Sequence, residues 1–283
     1  MPAPTQTTAP VTDKGPDGFD FAGAAERLTD AAARAGAAIM QHYGTAEVEF
    51  KDDKSPVTCA DRDSEAIILA ALAGFAPGVT VISEETFKGA PESLPDRFFL
   101  VDPLDGTKEF IHKRSDFTVN IALIESGQPR FGLVYAPARA LLAVTIAAGK
   151  AIEAELAPNK AGAELRSLSA KPLHARVASE TGLTALVSHS HLDADTEAFL
   201  AKLKIAGRSS AGSSIKFLAI ARGEADVYPR FGPTMEWDTA AGQAVLEAAG
   251  GSVVDTDGRP LRCGKVERGL RNPSFIAWGR TGP

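Results

Sequence analysis

Carboxylates stand at four separated places in the chain: Asp61, the pair Glu84-Glu85, Asp102 with Asp105, and Asp238. Gathering so many negative charges into one folded site is strongly unfavourable unless cations compensate them. Magnesium suits such a set, because it takes hard oxygen ligands and completes its shell with water and phosphate oxygens. Within Asp102-Pro103-Leu104-Asp105-Gly106-Thr107, Pro103 lacks an amide donor and fixes its own φ, so a tight turn there aims both aspartates and the Leu104 carbonyl inward. Gly106 permits close backbone approach, and the amides of Gly106 and Thr107, opening a short helix through Phe110, are placed to receive a phosphate.

Each piece alone also has an ordinary structural reading. The D-P-x-D-G pattern occurs as a surface turn, Glu84-Glu85 as a solvated helix start, and Asp238 as a plain N-cap for a helix over Thr239–Ala249. Other chemistries lack their signatures. His42, His112, His174, His189 and His191 form no H-E-x-x-H spacing, which argues against a zinc hydrolase. No G-x-S-x-G elbow accompanies Asp193, Asp195 and the nearby histidines, and Cys59 has no evident partner, so covalent nucleophilic catalysis is disfavoured.

The elements that must position these residues are legible as periodicity. Leu28, Ala32, Ala35, Ile39 and Tyr43 recur at helical spacing between Phe21 and Tyr43, and Asp61–Phe75 repeats the pattern after a polar stretch over Lys51–Ala60. Val79–Ile82 and Phe98–Val101 are short β-rich runs, each expected to deliver acidic residues immediately after its end. Phe117–Ile124, Phe131–Tyr135 and Leu141–Ile146 predict an antiparallel meander. Beyond Pro158–Pro172 the pattern alternates: strand Ala185–Ser188, helices Asp193–Leu203 and Ser214–Arg222, strand Asp226–Tyr228, helix Asp238–Ala249 and strand Ser252–Val254.

The whole chain narrows the setting. With 283 residues, 44% of them hydrophobic, it buries a sizeable core, and a net charge of -6 spread along the chain argues against gripping a nucleic-acid polymer. Cys59 and Cys263 lie far apart with no C-x-x-C spacing, which fits a reducing cytoplasm. Residues 1–18 predict a disordered tail without a secretory signal, and the longest apolar runs, Ala66–Ala73 and Leu141–Ala148, fall short of the roughly 20 residues of a membrane span. Peripheral contact with the inner membrane, and the oligomeric state, stay open.

Three ordered motifs, Ser83-Glu84-Glu85, Asp102–Thr107 and Trp237-Asp238-Thr239-Ala240-Ala241-Gly242, resemble the inositol monophosphatase superfamily. Lys108-Glu109-Phe110-Ile111, Gly212–Phe217 and Tyr228–Thr234 are similar to its branch of CysQ-type 3'(2'),5'-bisphosphate nucleotidases. The resemblance implies a layered αβαβα sandwich of α+β and α/β character, two or three magnesium ions, lithium inhibition and a place in sulfur metabolism. It divides the chain into a half over 19–165 with most metal ligands and a half over 166–283 that completes the metal site and binds substrate. The ligands it implies are Glu84, Asp102, the Leu104 carbonyl, Asp105 and Asp238, with Glu85 one step removed. Asp61 matches the acidic position near the attacking water and Thr107 the hydroxyl that orients it, while Asp61 or Glu84 accepts the proton.

The reaction so implied is in-line attack of a metal-activated water on the 3'-phosphate of adenosine 3',5'-bisphosphate, giving AMP and phosphate. A second phosphate needs further donors. Gly212-Ser213-Ser214 precedes an apolar helical run, Ser213 and Lys216 share one face at i and i+3, and Arg230 adds a fork of donors after its strand. By resemblance Ser213, Lys216 and Arg230 hold the nucleotide, with His191 a further candidate, beside Gly106, Thr107 and Asp238 at the reacting phosphate. The alternatives are an inositol-1-phosphate or fructose-1,6-bisphosphate phosphatase and, in another class, a non-catalytic binding protein on the same fold.

Overall fold

The stripe Leu28, Ala32, Ala35 and Ile39 is fully buried along one side of α1 (Phe21–His42), whose first turn Asp20 caps by accepting the Gly23 amide at 2.9 Å. The structure, a computed structural model, describes residues 18–45, 48–50, 56–158, 162–188 and 193–280. Residues 1–17 of the expected tail, Lys51–Ser55 of the expected loop, and both His189 and His191 lie outside these. β1 (Val48–Phe50) and β2 (Pro56–Thr58) form an antiparallel ribbon that feeds α2 (Cys59–Phe75). A capping box between Thr58 and Asp61 starts that helix two residues before the expected Asp61.

β3 (Thr80–Ser83) runs parallel to β4 (Arg97–Asp105), and α3 (Thr107–Ile111) follows directly. The meander β5 (Thr118–Glu125), β6 (Gln128–Ala136), β7 (Leu141–Ala147), β8 (Lys150–Glu155) and β9 (Ala170–Pro172) then completes a seven-stranded sheet in the order β3-β4-β5-β6-β7-β8-β9. β8 is Lys-Ala-Ile-Glu-Ala-Glu and β9 Ala-Lys-Pro, so neither shows the alternation of large apolar residues that marked the other strands. Since Ile152 pairs with Pro172, this sheet extends to Pro172, and the division expected at 165/166 falls inside it.

Alternate residues of the central strands feed two cores. Phe99, Val101, Ile121 and Leu133 pack under α1 and α2, while Phe98, Leu100, Ala122 and Val134 face the other way, which explains the unbroken apolar run at Phe98–Val101. The rest of the chain builds the layers beyond that second face: β10 (Leu183–Ser188), α4 (Ala194–Leu200), β11 (Ile205–Ala211), α5 (Ile215–Ala221), β12 (Val227–Arg230), α6 (Glu236–Ala248), β13 (Ser252–Asp255) and β14 (Phe275–Trp278). Their strands make a five-stranded sheet ordered β11-β10-β12-β14-β13. α5 and α6 fill the space between the sheets, and α4 covers the outer face by setting Leu200 against Ala185, Val227 and Trp278. The layers are thus αβαβα, as expected. β11 went unread because Ile205–Ala211 exposes most of its residues. Gly242, on the sixth helix, is required by packing: a Cβ there would lie 2.5 Å from the Phe217 ring of α5. Among the described residues no helix is long and apolar enough to cross a membrane.

Candidate metal and phosphate site

β4 does not stop before its acidic residues. Its antiparallel register with β5 continues through Asp102↔Asn120, breaks, and resumes at Asp105↔Thr118, so Pro103 and Leu104 together stand opposite the single residue Val119. This bulge, which the lack of a Pro103 amide favours, replaces the expected strand end and turns Asp102 and Asp105 into one cavity. Two hydrogen bonds fix it: the Leu104 amide donates to Asp102 Oδ1 at 3.0 Å, and Ser64 Oγ of α2 donates to the Pro103 carbonyl at 2.8 Å.

Glu84 follows β3, with its amide donating to the Val101 carbonyl at 3.1 Å, and so reaches the same end of the sheet as the bulge. Asp238 arrives from the other half. It lies inside the first turn of α6, whose cap is Met235, so it is not the N-cap; its Oδ2 accepts the Met235 amide at 2.8 Å. Carboxylate oxygens of Glu84, Asp102 and Asp238 lie within 4.8 Å of one another. Burial, then the Glu84 charge, pushes the Asp102 carboxyl well up, and burial followed by Asp105 and Glu84 does the same to Asp238. Asp105 is pushed up to about 6 by burial, against the pull of Lys216. Three converging hard oxygen donors that repel one another fit a divalent cation of the magnesium type.

Asp61 is buried beside this cluster. Its Oδ2 accepts both the amide and the hydroxyl of Thr58 at 2.7 Å, and its Oδ1 accepts Thr107 Oγ1 at 3.2 Å. Thr107 Oγ1 also stands 3.3 Å from the Leu104 carbonyl. Burial raises the Asp61 carboxyl despite the Thr58 bonds that favour its charge. Gly106 makes the approach possible: its φ is +94°, and a Cβ there would lie 2.2 Å from Ser213 Oγ.

Opposite the carboxylates, Lys216 and Arg230 line the same cavity of about 290 Å³. Lys216 is no solvated surface residue. It is 5% exposed, its Nζ donates to the carbonyls of Ser213 at 2.9 Å and Ala211 at 3.3 Å, and it sits 5.1 Å from the Tyr228 ring. Burial pushes its ammonium down to about 8, with Asp105 opposing. Arg230 ends β12 instead of following it; Nη2 donates to the Pro233 carbonyl at 3.1 Å, while the buried Nε has no partner among the described residues. Ser213 lines the cavity too and spans the two halves. At φ +48°, its hydroxyl donates to the carbonyls of Asp105 at 2.9 Å and Asp116 at 2.7 Å, which ties the second half to the metal segment and leaves no hydroxyl hydrogen for a nucleotide. His191 lies outside the described residues.

Three supporting residues escaped sequence reasoning. Asp116 is buried, paired with Arg139, and accepts the Gly212 amide at 2.8 Å. Glu236, fully buried next to the Trp237-Asp238 motif, accepts the Gly264 and Lys265 amides at 2.6 and 3.0 Å and pairs with Lys265 Nζ at 2.7 Å. Asn272 Nδ2 donates to the Met235 carbonyl at 2.8 Å and Thr239 Oγ1 at 3.0 Å. Glu236 and Asn272 fix the start of α6 and hence Asp238. A charged residue beside the motif was the one available signal; Asp116 and Asn272 gave none.

The family profile of the "Inositol monophosphatase family" matches residues 24–278. The 3'(2'),5'-bisphosphate nucleotidase CysQ of Escherichia coli strain K12 is 42% identical over 254 residues, which covers 88% of this chain and 97% of that protein. The crystal structure of CysQ from Bacteroides thetaiotaomicron, a bacterial member of the inositol monophosphatase family, is similar with a TM-score of 0.75 at 36% identity, covering 90% of this chain and 97% of that one. The Thermotoga maritima IMPase TM1415 shares the fold with a TM-score of 0.65 at 23% identity, covering 89% and 91%. With matching motifs, the same layers and near-complete coverage, this chain belongs to the inositol monophosphatase family.

Proposed function

We propose that this protein is a magnesium-dependent phosphomonoesterase that removes the 3'-phosphate of adenosine 3',5'-bisphosphate to give AMP and phosphate. The observation that carries this reading is the meeting, in one cavity, of the Glu84, Asp102 and Asp238 carboxylates with Lys216 and Arg230. The substrate choice is supported by the bisphosphate nucleotidases to which the chain is similar over most of its length. Glu84, Asp102, the Leu104 carbonyl, Asp105 and Asp238 would hold two or three magnesium ions. When bound, the metal supplies Lewis-acid polarisation of the phosphoryl group and compensates the carboxylate charge.

The chain's own residues handle the proton and the geometry. Thr107 Oγ1, within hydrogen-bond reach of Asp61 Oδ1, orients the attacking water and passes its proton to Asp61. Asp61 takes that role in this reading because its Oδ1 accepts the Thr107 hydroxyl directly. Water oxygen bonds to phosphorus as the bond to the 3'-oxygen breaks, and that oxygen leaves as the hydroxyl of AMP. The amides of Gly106 and Thr107 face the reacting phosphate, and the Arg230 fork takes the second one. Two free cysteines support a reducing, cytoplasmic setting.

A phosphate-release panel with magnesium tests the reading. The highest kcat/KM is expected for adenosine 3',5'-bisphosphate; a clear preference for inositol 1-phosphate or fructose 1,6-bisphosphate would overturn the substrate, and no turnover of any would leave a non-catalytic binding protein.

A further inference from the structure

Cys59 has partners that the sequence did not reveal. It opens α2 while His42 closes α1, and the packing of these helices brings Cys59 Sγ to 3.3 Å from His42 Nδ1. The other ring nitrogen, Nε2, lies 2.9 Å from Asp63 Oδ2. An ionised carboxylate only accepts, so Nε2 carries its hydrogen toward Asp63, and the neutral ring turns the Nδ1 lone pair toward the thiol. Nucleophile, base and orienting carboxylate thus stand in hydrogen-bond sequence. Cys59 is a half-buried residue and the His42 side chain is 29% exposed, which leaves the pair open to a small reagent. Cys263 is the contrast, buried and with its thiol pushed well up by that burial.

We propose that Cys59, His42 and Asp63 form a modification site, an imidazole-activated thiol that reacts selectively with hydroperoxides and other small soft electrophiles. With a hydroperoxide, the thiol gives its proton to His42 Nδ1 and the sulfur attacks the terminal peroxide oxygen. The S–O bond forms as the O–O bond breaks, sulfur loses two electrons, and the departing oxygen takes the proton from His42 to leave as an alcohol or water. The product is a sulfenic acid at the first residue of α2, directly after Thr58, whose amide and hydroxyl both hold Asp61. Modification therefore disturbs the proton acceptor; this consequence rests on the proposed phosphatase reading, whereas the thiol chemistry does not.

Alkylation of the full chain by limiting iodoacetamide, followed by peptide mass spectrometry, tests the thiol. Cys59 is expected to react about tenfold faster in the native chain than in His42→Gln, with Asp63→Asn between them because it keeps the shape but no longer favours the required tautomer. Equal Cys59 rates in the native chain and both variants overturn the proposal, and the Asp63→Asn comparison decides alone if His42→Gln does not fold. Dilute hydrogen peroxide with dimedone should place an adduct on Cys59; an adduct confined to Cys263 overturns it equally. Peroxide should also lower phosphate release by the native chain and spare Cys59→Ser, and equal loss in both overturns the link to Asp61. If the untreated chain releases no phosphate at all, the phosphatase reading falls, while the labelling experiments still decide the thiol.

Discussion

The two halves that face each other across the cavity hold their charges in different ways. On the large-sheet side, Asp102 and Asp105 are fixed by the backbone itself, through the two-residue bulge at Pro103-Leu104 and the bond from the Leu104 amide. On the other side, Lys216 and Arg230 depend on side-chain reach, and their alignment with the carboxylates depends on bonds that cross between the halves: Ser213 Oγ to the Asp105 and Asp116 carbonyls, and the Gly212 amide to Asp116. Asp238 is the exception, a carboxylate delivered by the cationic half through the first turn of α6. Charge that must meet a small cation is therefore set by rigid local geometry, and charge that must meet a variable substrate is set by longer arms.

Removing the exception should have the largest effect. Asp238→Asn is expected to lower kcat with magnesium by about 10³-fold or more, because it takes away a cation ligand of the reacting centre. Without metal the same variant should be as stable as the native chain or more so, since burial and Asp105 and Glu84 already oppose its charge. Thermal melts in EDTA and in magnesium check both halves of this expectation; native-like turnover would remove Asp238 from the site.

Asp61→Asn should cost less, about 10²- to 10³-fold in kcat, and should leave the magnesium-dependent rise in Tm intact, because it removes the proton acceptor and not the converging carboxylates. Burial raises the Asp61 carboxyl, so the acid limb of the native kcat/KM profile should lie above the ordinary carboxylate range and be lost as pH falls through it. A profile with no acid limb there would assign the proton to another group.

How far the sequence revealed this site follows the same contrast. Residues set by local geometry were legible in part: the Gly106 turn and the helix from Thr107 write themselves into residue type and spacing, while Pro103 marks a break that is made as a bulge within β4 and not as a turn after it. Residues set across the interface were not. Ser213 and Lys216 stand in the sequence as substrate donors, and neither the reach of the Ser213 hydroxyl to residues 97 and 108 positions away nor the enclosure of Lys216 by the Tyr228 ring and the Ser213 carbonyl is written there. The polar strand β11 and the clamp at Asn272 were hidden for the same reason, since only tertiary neighbours give them a role.

Arg230→Ala tests the long-arm side. It should raise KM for adenosine 3',5'-bisphosphate about tenfold, ~1.4 kcal/mol, with little change in kcat, since one charge-assisted contact to the second phosphate is lost. Ser213→Ala, by contrast, should lower stability by about 1–2 kcal/mol through its two interface bonds and leave that KM nearly unchanged. A reversal, with Ser213 controlling KM, would return its hydroxyl to the substrate.

A last contrast separates a carboxylate buried for function from one buried without it, on a single helix. Glu247 lies near the opposite end of α6 from Asp238, and burial pushes it up to about 7 although Gln243 Nε2 donates to it at 2.8 Å. The folded value lies above the ordinary 4.5, so the folded state holds the proton more tightly, and the stability linked to it is complete below pH 4.5 and lost as pH rises through about 7. Glu247→Gln keeps the acceptor for Gln243 and removes the ionisation. It should make the chain more stable than the native one above pH 7 by about 1–3 kcal/mol, a difference that vanishes near pH 4. Denaturation midpoints at the two pH values measure it. Magnesium should leave this difference untouched while it raises the native Tm through Asp238, because among the described residues the carboxylates that converge are Glu84, Asp102 and Asp238 and not Glu247; a magnesium-sensitive Glu247 effect would place a second cation at the far end of α6.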